Sequence, residues 1–100
     1  MNKNKSKKQS TDPSHKQQSF RIRANPGSDV YLSGSFNSWN GAAKKLKDTT
    51  GDGDYSISLL IPPGKHEYKF VLNGEWHVDP ECDDWVVNEH GTLNSVIDVE

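Results

Sequence analysis

From Phe20 onward the chain alternates apolar and polar positions, run after run. Phe20 and Ile22 alternate with Arg21 and Arg23, and Val30, Leu32 and Phe36 with Tyr31, Ser33 and Ser35. Tyr55, Ile57, Leu59 and Ile61 are separated mostly by serines. Tyr68, Phe70 and Leu72 alternate with Glu67 and Lys69, and Ile97 and Val99 flank Asp98. A period of two sends successive side chains to opposite faces, so each run predicts a strand with one buried and one wet face. Between the runs stand Asn25-Pro26-Gly27-Ser28, Thr50-Gly51-Asp52-Gly53, Pro62-Pro63-Gly64 and Asn73-Gly74, residue types that close turns. No window carries a helical stripe of useful length. Short strands at close spacing predict an all-β protein, folded as an antiparallel β-sandwich.

Asn73-Gly74 sharpens this locally. Two such residues between strands favour a type I′ turn, which sets the hairpin register. Leu72 then faces Glu75, Val71 faces Trp76, Phe70 faces His77 and Lys69 faces Val78. Tyr68, Phe70 and Leu72 share one side; Lys69, Val71, Trp76 and Val78 share the other. With the Tyr68 side as core, His77 points inward as a core histidine. Trp76 is left outside with Lys69 on its diagonal, near enough for one ligand to touch both.

A second tryptophan, Trp39, follows in the polar loop Gly34-Ser35-Phe36-Asn37-Ser38-Trp39-Asn40-Gly41, and Gly91-Thr92-Leu93-Asn94 precedes the last strand. Two readings compete for these residues. In one, Trp76 covers a small cluster with Val71 and Val78 while Trp39 plugs an end of the sandwich. In the other, both form a sugar site. A pyranose ring stacks its C–H face on an aromatic plane, and its hydroxyl edge needs groups such as Lys69, Thr92 and Asn94.

Composition changes the picture at one end. Residues 1–18, MNKNKSKKQSTDPSHKQQ, hold no aromatic or branched aliphatic side chain and are expected to be a disordered, lysine-rich tail ahead of a domain at 19–100. Five lysines there against Asp12, in a chain of net charge -2, leave the rest acidic. An acidic body argues against nucleic-acid binding, which needs a basic face. The head has no apolar segment of a secretory signal, and no run approaches the ~20 apolar residues of a membrane span. Cys82 is the one cysteine, so neither an internal disulfide nor a zinc-type pair is expected. These features lead to a soluble, cytoplasmic protein, and the initial Met leans toward a complete small chain.

No catalytic, cofactor or metal site is expected. Asp79, Glu81, Asp83 and Asp84 are neighbours on one polar loop, whereas glycosidases set two carboxylates across a cleft. His77, Asp79, Cys82 and His90 match no zinc spacing, and Asp48, Asp52 and Asp54 lack the order of a calcium loop.

Three strings, in order, carry a family resemblance: Val30-Tyr31-Leu32-Ser33-Gly34-Ser35-Phe36-Asn37-Ser38-Trp39; Pro63-Gly64-Lys65-His66-Glu67-Tyr68-Lys69-Phe70-Val71-Leu72-Asn73-Gly74-Glu75-Trp76 with Asp79-Pro80; and Gly91-Thr92-Leu93-Asn94-Ser95-Val96-Ile97. Together they resemble the glycogen-binding domain of AMP-activated protein kinase β subunits, in carbohydrate-binding module family forty-eight. The resemblance implies an immunoglobulin-like β-sandwich that binds α-1,4-glucans, whether polysaccharide or maltooligosaccharide, without cleaving them. It implies Trp39 and Trp76 as stacking platforms, Lys69 as a hydroxyl ligand, and Thr92 and Asn94 as polar contacts. His90 departs from the pattern, standing where kinase-type domains carry an aliphatic residue against the glucan. The implied partner is a kinase or a glucan-metabolising enzyme. A protein-interaction module on the same scaffold is the alternative, since exposed aromatics also anchor interfaces.

Overall fold

The computed structural model describes residues 14–100. Its strands are β1 (Lys16–Arg23), β2 (Val30–Gly34), β3 (Lys44–Lys45), β4 (Lys47–Asp48), β5 (Asp54–Ile61), β6 (Gly64–Leu72), β7 (Glu75–His77), β8 (Trp85–Val87) and β9 (Leu93–Val99), with one 3-10 turn at Ser35–Asn37. The pairings are antiparallel and build two sheets. The smaller runs β1-β5-β4; the larger runs β3-β2-β6-β9-β8, with β7 also on β6. The fold is the all-β, sandwich-like one that the alternation predicts. Among the described residues no helix is long and apolar enough to cross a membrane.

The core is one face of each run. Phe20, Ile22, Val30, Leu32, Tyr55, Ile61, Tyr68, Phe70 and Val99 are buried, with Phe36, Ile57, Leu59, Leu72 and Ile97 packed against them. Removing each large apolar side chain from water contributes about 1.5–3 kcal/mol. The rings meet edge to face: Phe20 and Tyr68 lie 5.0 Å apart at 72°, Tyr68 and Phe70 6.1 Å apart at 86°.

Three features differ from the sequence expectation. The first strand starts at Lys16, so Lys16, Gln17 and Gln18 pair with Ile61, Leu60 and Leu59 instead of belonging to a tail. Backbone pairing along an existing strand needs no apolar side chains of its own. Of the rest of the expected tail, residues 1–13 lie outside the described residues. Leu46, with 1% of its surface exposed, joins the core from a lysine-rich segment that shows no alternation. It sits where the chain steps from β3, paired to β2, to β4, paired to β5.

The third is His77. The hairpin register is as expected: Leu72 faces Glu75, Val71 faces Trp76 and Phe70 faces His77. Asn73 (φ 51) and Gly74 (φ 87) are both left-handed, as a type I′ turn requires. Yet the His77 side chain is 45% exposed, its Nε2 3.5 Å from Glu75 Oε1. The inner face of a strand is buried only where an opposing layer covers it, and three strands cannot cover six.

Tyr68 ties the chain after β7 to this core. Its hydroxyl donates to Asp79 Oδ2 at 2.7 Å, and the Asp79 N–H donates to Ser95 Oγ at 2.8 Å. Burial, and then the bond to Asp79, hold the phenol well above its ordinary range. The Asp79 carboxylate is thereby committed to structure, its other oxygen accepting from the Glu81 N–H. Asp48 plays a similar part, accepting from the Gly51 and Gly53 N–H groups to close a hairpin loop. Among the described residues no group of three or more His, Cys, Asp or Glu is placed to hold a metal.

Candidate functional site

Strand β6 organises the outer face. On one edge it pairs with β2, from Tyr68 opposite Gly34 to Leu72 opposite Val30. On the other edge β9 follows it from Gly64 to Tyr68, and β7 takes over from Phe70 to Leu72. Glu67, Lys69 and Val71 alternate onto the side opposite the core. Trp76 joins them from β7, and Asn94 from β9. All six residues singled out in the sequence (Trp39, Lys69, Trp76, His90, Thr92 and Asn94) line one open groove there, of about 1120 Å³. That is slightly above the range of ordinary ligand sites, ~300–1,000 Å³.

Trp39 reaches the groove through a strained loop. Asn37 Oδ1 accepts from the Gly34 N–H at 2.9 Å while its Nδ2 donates to the Leu32 carbonyl at 3.1 Å. Ser38 and Trp39 follow with φ of 56° and 59°. Each left-handed non-glycine residue costs roughly 1–2 kcal/mol, and such strain concentrates at functional sites. The Trp39 N–H closes the loop onto the Gly34 carbonyl at 2.9 Å. Trp39 is 36% exposed, so it does not plug the sandwich end.

Trp76 is 48% exposed. A Cβ added at Gly41 would lie 3.1 Å from the Trp76 Cζ2, so a side chain here would press on the indole edge. Glycine lets the Trp39 loop and the Trp76 ring share one neighbourhood.

In the same groove runs a hydrogen-bonded row. Lys69 Nζ donates to Thr92 Oγ1 at 3.0 Å. Asn94, buried, donates from Nδ2 to Glu67 Oε1 at 2.8 Å. Asn88 organises both ends of the row. Its Nδ2 donates to Thr92 Oγ1 (2.7 Å) and Asn94 Oδ1 (2.9 Å), and its Oδ1 accepts the N–H groups of His90 and Thr92. The His90 side chain stands exposed at the rim. Lys69 keeps further N–H donors, and Thr92 keeps its O–H, for whatever enters. One lysine between Glu67 and Glu89 makes a groove without excess positive charge, suited to neutral polar ligands rather than anions.

Sequence reasoning missed Asn88 and Glu67. Glu67 was legible, two residues before Lys69 on the same strand face. Asn88 was not, because its role depends on the loop geometry between β8 and β9.

Comparison with known proteins agrees with this architecture. The family model described as "Glycogen recognition site of AMP-activated protein kinase" matches residues 19–100. The 5'-AMP-activated protein kinase subunit beta-1 of pig (Sus scrofa) is 40% identical over 74 residues, which are 74% of this chain and 57% of that protein. The human (Homo sapiens) beta-1 subunit is also 40% identical over 74 residues, 74% of this chain and 26% of that protein. The mouse (Mus musculus) beta-2 subunit is 36% identical over the same shares. The chain therefore spans 57% of the pig relative and 26% of the human and mouse ones. With its model matched over residues 19–100, the chain belongs to the glycogen recognition site family of AMP-activated protein kinase.

Proposed function

We propose that the groove binds an α-1,4-linked glucan, whether glycogen, starch or maltodextrin, without cleaving it. One observation carries the reading: two partly exposed tryptophans and a row of hydrogen-bonding groups line a single open groove. Trp39 and Trp76 stack successive glucose rings, and Lys69 and Thr92 bind hydroxyls at the ring edges. Asn94 adds polar contacts from its buried position, and His90 meets the chain at the rim. The family description, which names glycogen, supports the ligand class. Binding should be modest, because sugar hydroxyls already bond well to water. The relatives' names make a kinase the first partner to test, with a glucan-metabolising enzyme next. A cytoplasmic setting belongs to the same proposal.

The test is intrinsic tryptophan fluorescence during titration with maltoheptaose, with a β-linked cello-oligosaccharide as control. Trp85 does not line the groove and supplies a constant background. A saturable change with the α-glucan alone is the expected result; silence with both sugars in the folded protein would remove the glucan.

Two further outcomes follow from the row of polar groups. Lys69→Ala removes one half-buried donor and should weaken maltoheptaose about fivefold, the worth of one net hydrogen bond. Unchanged affinity by calorimetry would take Lys69 out of the site. Asn88→Ala should act through its neighbours, since all its hydrogen-bonding capacity is spent on Thr92, Asn94 and His90. Affinity should fall about tenfold, and stability by about 1–2 kcal/mol, as that network is cut. Intact affinity in this variant would show that the loop holds its shape without it.

A further inference from the structure

The larger sheet ends in β8, and the outer edge of β8 is open: among the described residues no strand pairs with it. The ladder with β9 shows which backbone groups face outward. The Asn88 N–H donates to the Thr92 carbonyl and the Val96 N–H to the Asp84 carbonyl. Those hydrogen-bonded pairs bracket Val86 opposite Asn94, and hydrogen-bonded and non-hydrogen-bonded pairs alternate in antiparallel ladders. The N–H and C=O groups of Trp85 and Val87 therefore point away from β9, into the open edge. The same two residues carry the most exposed large apolar side chains among the described residues, Trp85 at 56% and Val87 at 64%. The strand is kept to three residues with acidic flanks, which limits indiscriminate pairing, but Trp85-Val86-Val87 itself carries no lysine, proline or bulge.

The flanks are acidic. Asp83 and Asp84 precede the strand and Glu89 follows it, with Glu81 nearby and no basic residue from Asp79 to Glu89. A second copy pairing antiparallel about Val86 would set Asp83 against Glu89, like charge against like charge. The edge is thus closed to itself and complementary to a strand with the opposite flanks.

We propose that the β8 edge is a strand-addition site for an extended segment of another protein, presenting apolar side chains at alternate positions between Lys or Arg flanks. The backbone groups of Trp85 and Val87 would provide the pairing, and their side chains the selectivity for apolar neighbours. The acidic ends would favour basic flanks and disfavour self-association. Val87 also lines the groove while Trp85 does not, so a docked segment would run along the groove's rim. The inference stands apart from the glucan reading, which rests on other side chains.

The experiment follows backbone amides of the full chain by NMR while adding synthetic nonapeptides with a Val-Thr-Val centre. One peptide carries two lysines at each end, a second two glutamates, and a third has proline in place of both valines, whose N–H groups would pair with Trp85 and Val87. Saturable shifts and slowed amide exchange at Trp85 and Val87 are expected with the lysine peptide. The glutamate peptide should bind about tenfold more weakly, and the proline peptide should lose the exchange protection. Asp83→Lys, at an exposed loop position, should narrow the preference between charged peptides; Trp85→Thr should weaken both. Equal binding of the charged peptides, shifts located elsewhere, or no saturable shift would overturn the proposal. So would protection of Trp85 and Val87 in the free chain. If that protection rises with protein concentration, the occupant is a second copy; if it does not, it is the chain's own residues 1–13.

Discussion

Replacing Trp76 with alanine is expected to weaken maltoheptaose binding about 5–150-fold while the protein stays folded. The two halves of that expectation come from different parts of the structure. Trp76 lies on a strand of three residues at the end of the hairpin, 48% exposed and outside the buried core cluster. Its loss uncovers Val71, already 7% exposed, and leaves a gap over Gly41, but opens no cavity between the sheets. Exposed positions of this kind usually cost well under about 2 kcal/mol, so the melting temperature should fall by only a few degrees. On the ligand side the indole is one of just two stacking platforms. Aromatic stacking on a flat ring is worth about 1–3 kcal/mol, by the measure of base stacking on single-strand binders. A domain whose affinity starts modest loses about 5–150-fold, enough to carry a micromolar or weaker site toward millimolar. The check pairs a thermal melt with calorimetric titration. Collapse of the fold would place Trp76 in the core, and affinity within twofold of the unmodified protein would put the sugar elsewhere. Trp39→Ala should resemble it in binding. It also replaces a residue held in the left-handed region, so its effect on stability is the sum of released strain and lost packing.

The contrast between legible and illegible parts has a physical basis. Period-two runs name their own buried face, so Phe20, Leu32, Tyr55, Phe70 and Val99 were readable as core, and the Asn73-Gly74 turn fixed which side of the hairpin Trp76 takes. That one turn placed Lys69 and Trp76 on one face; Trp39, Thr92 and Asn94 stood out as aromatic and polar residues of loops, and the resemblance to a known family gave them roles and added His90. Alternation states which way a side chain points but not whether anything covers it. His77 points the same way as Phe70 and is exposed, and Trp85 and Val87 fail to find cover because the smaller sheet is only three strands wide. Strands of two or three residues are too short to display a period at all. β3, β4 and β8 were therefore invisible, and Leu46, Asn88 and the β8 edge went unnoticed with them.

Leu46 is the position where that blindness has the largest energetic consequence, and Leu46→Ala is expected to be the most destabilising of the changes considered. The residue stands alone among lysines, yet it is 1% exposed and part of the main core cluster. Its N–H donates to the Val30 carbonyl at 2.8 Å, which holds the crossover against β2 while β4 turns away to β5. A crossover pinned on both sides cannot collapse easily into a void, so the loss of three carbons should cost about 2–5 kcal/mol. A domain of this size has a total stability of only about 5–10 kcal/mol. The melting temperature should fall by about 10–30 °C. Lys45→Ala and Lys47→Ala make the control: both side chains are exposed, and the 3.7 Å pair of Lys45 with Asp29 is solvent-screened, so each should stay within about 0.5 kcal/mol of the parent. A Leu46→Ala loss below about 1 kcal/mol would mean that the crossover yields and refills the space, and that the two sheets are joined less firmly than their packing shows. The change also bears on the site. The loop carrying Trp39 and Gly41 is stapled at its start by Asn37 and returns to the sheet through β3 and Leu46. With that return loosened, the Trp39 platform should become mobile before the domain unfolds. Maltoheptaose affinity should therefore decline on warming at temperatures where circular dichroism still reports a folded sandwich.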